Sequence, residues 1–242
     1  MQVWKHAYVN QREVPVLISD EKEALLAAKA AGRALIGLWR PDQEMDAIAA
    51  AKYVVDDVAS VTEEYLERVA RRHLGLPWRI CETERLVIRE MFADDFDEVW
   101  EHQIGLGFGS VEELQAYTKN QYSFYEFGFW ALLEKNSGAL IGVAGLKVPE
   151  EVDAERMELW TRNLTVLAAE MQDMEEVGET LELGYHVFRR YRRNGYAEEA
   201  CRAILRYGTE ELGVSEVIAR IEKENMISKE FAKKLGFSCT EI

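Results

Sequence analysis

The 242-residue chain lacks any apolar run approaching the roughly 20 residues of a membrane span, so a membrane protein is not expected. Its start, MQVWKHAYVN, lacks the charged-then-apolar pattern of a signal peptide, which leaves a cytoplasmic protein as the expectation. Only three cysteines are present, Cys81, Cys201 and Cys239. They are far apart and lack metal-ligand spacing, so reduced, mostly buried thiols and no metal site are expected. The Lys-Ser/Thr of a P-loop and the GxGxxG of a dinucleotide fold are both missing. Excess positive charge is missing too. A net charge of −15 disfavours nonspecific binding to nucleic acid.

What positive charge there is has a place. From Leu181 onward there are 11 Lys/Arg against 10 Asp/Glu, whereas residues 1–180 hold 18 against 34. The last quarter can therefore hold an anion while the rest faces a cation. The plainer reading is that acidic surfaces keep proteins soluble.

The chain is long enough for one large domain or two small ones. Residues 1–79 alternate strand and helix: strands at 14–20, 33–39 and 52–58, a helix over 21–32 stopped by Gly32, and a helix capped by Thr62. That alternation predicts a small, Rossmann-like parallel α/β unit. A second unit spans 80–242. It reads as a strand (83–91), a helix (93–103), a glycine-rich loop (104–110), a helix (111–127), a hairpin turning at Asn136-Ser137-Gly138, a strand (181–188), an amphipathic helix (195–213), a strand and a last helix ending at Gly236. Residues 149–180 hold ten Asp/Glu and two Arg. Leu159, Trp160, Leu167, Met171 and Met174 fit a helical stripe there, and an extended hairpin is the alternative.

Residues 189–200 read RRYRRNGYAEEA, four arginines around one glycine, between a strand and a helix. A helix N-terminus exposes unpaired N–H groups and a positive dipole end, and so binds phosphate. Gly195 allows close backbone approach, and Arg189, Arg190, Arg192 and Arg193 add charge suited to a polyphosphate.

Here the sequence resembles the GNAT superfamily of acyl-CoA-dependent N-acyltransferases, and most closely its ribosomal-protein N-terminal acetyltransferase (Rim-type) branch. The resemblance covers about 82–239. It rests on Arg192, Gly195 and Ala197 of the pattern Arg/Gln-x-x-Gly-x-Gly/Ala, on ELGYHV before it, on TERLVIRE, and on Asn225, Ser228, Lys234, Gly236 and Phe237 of NMISKEFAKKLGF. It implies an α+β, three-layer αβα fold with a mixed, mostly antiparallel sheet flanked by helices. It implies acetyl-CoA as cosubstrate and an amine as acceptor. The backbone of Arg192, Arg193, Asn194, Gly195, Tyr196 and Ala197 would cradle the pyrophosphate. Val187 and Phe188 would pair with the pantetheine arm, and Asn225 would reach it.

Amine acylation needs a neutral amine, hence a base or a water chain. Glu182 matches an acidic position of relatives, against the alternative of an edge or solvent-face residue. A backbone N–H near Val187 is the oxyanion donor the resemblance suggests. The tyrosine many relatives place on the last helix is Ala232 here. Ser228 is the suggested substitute acid, with pantetheine binding or helix capping as its alternatives. No Ser/Cys–His pair suggests a covalent route.

Residues 14–58 resemble part of the haloacid dehalogenase-like fold, through LISDEKEALLAAKAAGRALIGL and AAAKYVVDDV. The match is degenerate: Asp20 follows Ser19 where that family has Gly-Asp, Ala24 stands where it has a second Asp, and its Asp-x-Asp strand has no counterpart. A role in packing, dimerisation or acceptor control fits better than a phosphatase using Asp20 and Asp56. The GNAT family also adds a final strand pair after Gly-Phe, for which little chain remains. The sheet edge would then be completed by the N-terminal unit or by a partner chain in a homodimer. The expected function is N-acetylation of a small cationic amine or a peptide N-terminus. A noncatalytic acyl-CoA sensor with a regulatory N-terminal module is the alternative.

Overall fold

A computed structural model describes residues 1–102, 108–150, 156–164 and 180–240. The glycine-rich loop expected over 104–110 and most of the 149–180 segment fall largely outside these residues. Two compact units form: residues 1–78 with 115–125, and residues 79–114 with 126–242.

The first unit is a four-stranded sheet, ordered β1-β2-β3-β4: β1 (Gln2–Val9), β2 (Arg12–Ser19), β3 (Ala34–Leu38) and β4 (Val54–Val55). The strands β2, β3 and β4 run parallel, as the alternation with helices requires. Strand β1 is an addition to the sequence reading. It pairs antiparallel with β2 across a two-residue turn, Asn10-Gln11, both at positive φ (49° and 65°), the geometry of a tight hairpin. Helix α1 (Lys22–Ala30) buries Leu25 and Ala28. Helix α2 (Glu63–His73) starts at Thr62, whose hydroxyl accepts from the Tyr65 N–H as a cap. It packs Leu66, Val69 and Ala70 into one core with Val9, Val16, Ile18, Ile36 and Leu38.

The second unit is built on eight strands in the order β12-β9-β11-β10-β8-β7-β6-β5. These are β5 (Arg79–Glu82), β6 (Leu86–Glu90), β7 (Phe129–Glu134), β8 (Leu140–Lys147), β9 (Met157–Asn163), β10 (Thr180–Val187), β11 (Glu216–Glu222) and β12 (Ser238–Thr240). Only β10 and β11 pair in parallel; the rest is antiparallel. Helices α3 (Phe96–Glu101), α5 (Tyr196–Glu210) and α6 (Met226–Lys234) belong to this unit, whereas most of α4 (Val111–Phe124) belongs to the first. Helix α5 is strongly amphipathic and buries Ala200, Cys201, Ile204, Leu205 and Gly208, close to the face its spacing predicts. It packs on β5, β6, β8 and β10, while α6 packs on β11.

Strand β9 corrects two expectations. Residues 157–163 are extended, not part of a helical stripe. Leu159 and Trp160 pair with Arg220 and Ala219 of β11 on one side and with Thr240 and Cys239 of β12 on the other. The position next to β11, for which the N-terminal unit or a partner chain was expected, is therefore filled from within the second unit. The single strand β12 then closes that side.

Two of the three thiols are withdrawn from chemistry. Cys201 is fully buried on α5, and burial raises its pKa far above the ordinary thiol value. Burial pushes Cys81 up to about 11. Only Cys239 is exposed. Alkylation of the native protein at pH 7.5 is therefore expected to modify Cys239 alone, read by intact mass, with Cys81 and Cys201 reacting only after denaturation.

Candidate active site

The site begins where two strands part. Strands β10 and β11 pair at only three positions, Thr180–Glu216, Leu181–Val217 and Glu182–Ile218. Beyond them β10 runs on to Val187 and β11 to Glu222 without pairing to each other. The direction of the freed groups follows from one bond. The Phe188 N–H donates to the Ile141 carbonyl of the β8 side at 2.8 Å. Backbone direction alternates along a strand, so Leu183, Tyr185 and Val187 turn their N–H and C=O groups toward the gap. Val187 sits at its mouth. The Phe188 amide is committed to β8, and its fully buried ring stacks on His102 with centroids 3.9 Å apart.

The chain then turns into α5. Gly195 is the N-cap residue, at φ +82°, and no side chain caps the helix. The N–H groups of the first turn thus lack intrahelical acceptors and point out of the helix end. Arg193, also at positive φ (64°), and Arg192, Asn194 and Gly195 are exposed. The Arg192 Nε donates to the Val187 carbonyl at 2.8 Å, and its Nη2 lies 3.4 Å from His186 Nε2. The Asn194 side chain donates to the carbonyls of Tyr191 and Arg192, which closes the turn. The Tyr196 hydroxyl donates to Glu134.

Sequence reasoning missed the strut beneath this turn. Arg85, just ahead of β6, donates through Nη1 to the Asn194 carbonyl at 2.8 Å and pairs with Glu199 at 2.6 Å. Its guanidinium also lies over the Tyr196 ring, 4.5 Å from the centroid. Glu199 further accepts from the Thr83 hydroxyl and the Arg85 amide. Burial would raise the Glu199 pKa, but these hydrogen bonds hold it below the usual carboxylate range. The other first-turn acid, Glu198, is matched by Arg202 and Lys234. The two carboxylates that would repel an anion are thus occupied by cations. Arg85→Ala is expected to raise the KM for the anionic cosubstrate about 10-fold, with kcat within about 3-fold, as loss of charge-assisted bonds to the turn predicts. Steady-state kinetics at varied cosubstrate concentration checks this.

Glu182 is 9% exposed and sits on an interior strand, which removes the edge or solvent-face alternative. Its Oε2 lies 3.5 Å from Arg220 Nη1 and 3.7 Å from Lys147 Nζ, without hydrogen-bond geometry to either. Burial raises its pKa above the ordinary value against the pull of Lys147 and Arg220. Asn225 caps α6, its Oδ1 accepting from the Ser228 N–H at 3.0 Å. The helix cap here is therefore Asn225, not Ser228, and among the described residues the Asn225 side-chain N–H groups have no acceptor.

Residues 77–238 match the family model "Acetyltransferase (GNAT) domain". The chain belongs to the GNAT acetyltransferase family. The acetyltransferase is 30% identical over 155 residues to the "uncharacterized N-acetyltransferase YnaD" of Bacillus subtilis, covering 64% of this chain and 79% of that one. Among solved structures it is similar to a protein described as a GNAT-family acetyltransferase of Bordetella pertussis, at 20% identity and a TM-score of 0.48, over 66% of this chain and 89% of the other. It is also similar to glucosamine-6-phosphate N-acetyltransferase of Arabidopsis thaliana, at 14% identity and a TM-score of 0.43, over 66% and 95%. Among the described residues of the acetyltransferase no group of three or more His, Cys, Asp or Glu could hold a metal ion, and Asp20 is engaged by Arg40 at 3.4 Å. No described helix is long and apolar enough to cross a membrane.

Proposed function

We propose that the protein is a cytoplasmic enzyme that moves an acetyl group from acetyl-CoA to a primary amine, either a small cationic amine or a peptide N-terminus as in the Rim-type branch. The observation that carries this reading is the continuous run from the unpaired edge of β10 to the uncapped start of α5. An amide-bearing arm can add to the free edge as an extra strand would. A pyrophosphate suits the N–H groups of the first turn of α5, flanked by Arg192 and Arg193. The Asn225 N–H groups, at the start of α6, donate to a carbonyl of the arm in this reading.

Glu182 is the base in this reading, acting directly or through a water on the amine. A backbone N–H of β10 that turns toward the gap donates to the developing oxyanion. The acidic 149–180 segment favours a cationic acceptor, since opposite charge raises local concentration. The haloacid dehalogenase-like N-terminal unit serves as a packing or acceptor-control module. The test is free-thiol release from acetyl-CoA by the full chain against diamines, amino sugars and peptides with free N-termini. Thiol release with at least one amine, matched by acetylated product in mass spectra, is expected. Tight CoA binding with no thiol release from any amine would instead make the protein a sensor.

A further inference from the structure

Strand β1 is the end strand of the first unit's sheet, paired with β2 over eight residues without a bulge. Which of its backbone groups face outward follows from the turn. Asn10 and Gln11 both stand at positive φ, so the flanking pair Val9–Arg12 closes the hairpin through its own bonds. Pairs alternate from there. Val3, Lys5, Ala7 and Val9 bond to β2, whereas Gln2, Trp4, His6 and Tyr8 turn their N–H and C=O groups to the outer edge. Pro15 agrees with this phase: it has no N–H, and it stands opposite His6.

The side chains of the same four residues share one face of the sheet. Helix α1 lies over β2 and β3, and Trp4 and Tyr8 remain 48% and 67% exposed. On the other face Ala7 and Val9 are buried, and the Lys5 ammonium donates to the carbonyls of Val58 and Val61 at 3.2 and 3.0 Å. Proteins commonly protect an edge strand with a proline, a bulge or a free lysine. This edge has neither of the first two, and its one lysine is committed. Charge points the same way. In a chain of net charge −15, residues 2–9 contain no Asp or Glu. The one acid of β2, Glu13, is engaged by His6 at 2.9 Å and by the Tyr8 hydroxyl at 3.4 Å. Two copies of this acidic chain can therefore meet here without setting acid against acid.

We propose that the chain dimerises by pairing β1 with β1 of a second copy, antiparallel about a two-fold axis at His6, so that the two first units share one continuous sheet. The register follows from the residues. With the axis at His6, His6 meets His6 and each Trp4 meets the Tyr8 of the other copy. All of these carry outward backbone groups, which gives about six inter-chain hydrogen bonds. Trp4 and Tyr8 become directly opposed aromatic pairs, formed twice by the symmetry. On the core side Val3 meets Val9 and Lys5 meets Ala7. An axis at Lys5 would set two lysines directly opposite each other, and an axis at Ala7 would run Trp4 against the turn residue Asn10. This inference is independent of the acetyltransferase reading, since it uses the first unit alone.

The test is sedimentation velocity of the full chain across micromolar concentrations, with thermal melts in parallel. Wild type is expected at twice the chain mass. His6→Pro removes an N–H that faces outward and leaves the β2 ladder whole, so Tm should stay within about 3 °C. Two inter-chain bonds vanish at the axis, and self-association should weaken about 100-fold. Trp4→Glu should weaken it about 10-fold by removing both aromatic pairs. Adding Tyr8→Lys to Trp4→Glu should restore the dimer, because the new charges then face each other across the axis. A merely local defect would not be rescued in this way. If His6→Pro does not fold, the Trp4 and Tyr8 variants decide. A wild type that stays monomeric, whether the edge is left open or takes a strand of another protein, overturns the proposal. So does a dimer that neither His6→Pro nor Trp4→Glu weakens, which must use another surface. Loss without rescue in the double variant overturns the His6 axis.

Discussion

Replacing Glu182 by glutamine is expected to lower kcat/KM about 10²- to 10⁴-fold, the range for loss of a general base, while CoA affinity stays within about 2-fold. The carboxylate lies inside the sheet, facing two cations, on the face of β10 away from Tyr185. It has no part in the α5 turn, so binding and turnover should separate. Its pH dependence has a definite sign. The base works as the carboxylate, so activity appears as pH rises through the Glu182 pKa. Burial raises that pKa, and the acid limb should lie above the ordinary Glu value. Lys147 pulls it down. Lys147→Met should therefore move the acid limb to higher pH, and an unmoved limb would assign the base elsewhere.

The second large effect is structural. A Cβ on Gly142 would lie 2.3 Å from the His186 carbonyl oxygen and 2.9 Å from the Val187 Cα. Both are backbone atoms of β10, and neither can rotate away. Gly142→Ala must push β8 and β10 apart where Phe188 N–H meets the Ile141 carbonyl. The expected cost is about 3 kcal/mol, or about 6–12 °C in Tm for a domain of this size. The displaced stretch is also the entry to the gap, so CoA affinity should fall with stability. Gly138→Ala is the control. That turn glycine has φ +70° but nothing within 4 Å of the added carbon, so only backbone strain of about 1 kcal/mol applies. Thermal melts of the two variants side by side check the contrast; equal shifts would contradict it.

Much of the second unit is legible in the sequence because its signals are local. The α5 face follows from spacing, and the turn before it from one glycine among arginines. Strand β9 is not legible in that way. Its seven residues include Glu158 and Arg162, and they are extended because β11 and β12 lie on either side, a long-range condition. The Arg85–Glu199 strut joins residues 114 apart, so no local pattern announces it. The side of β10 on which Tyr185 stands depends on register, which only strand pairing sets. Strand β1, by contrast, had a readable signal: Asn10-Gln11 between two runs of strand-forming residues.

The central claim is that the parted strands and the uncapped start of α5 form one binding site for a nucleotide-bearing thiol. Isothermal titration of CoA into wild type and Gly195→Val tests it most directly. At φ +82° a β-branched residue is strained at position 195, and its Cβ would press within 3.3 Å of Arg85 Nη2, the strut of the turn. Wild type should bind one CoA per chain, and the variant should bind at least about 10-fold more weakly, the equivalent of 1.4 kcal/mol. No heat with wild type, or equal affinity in both, would contradict the account.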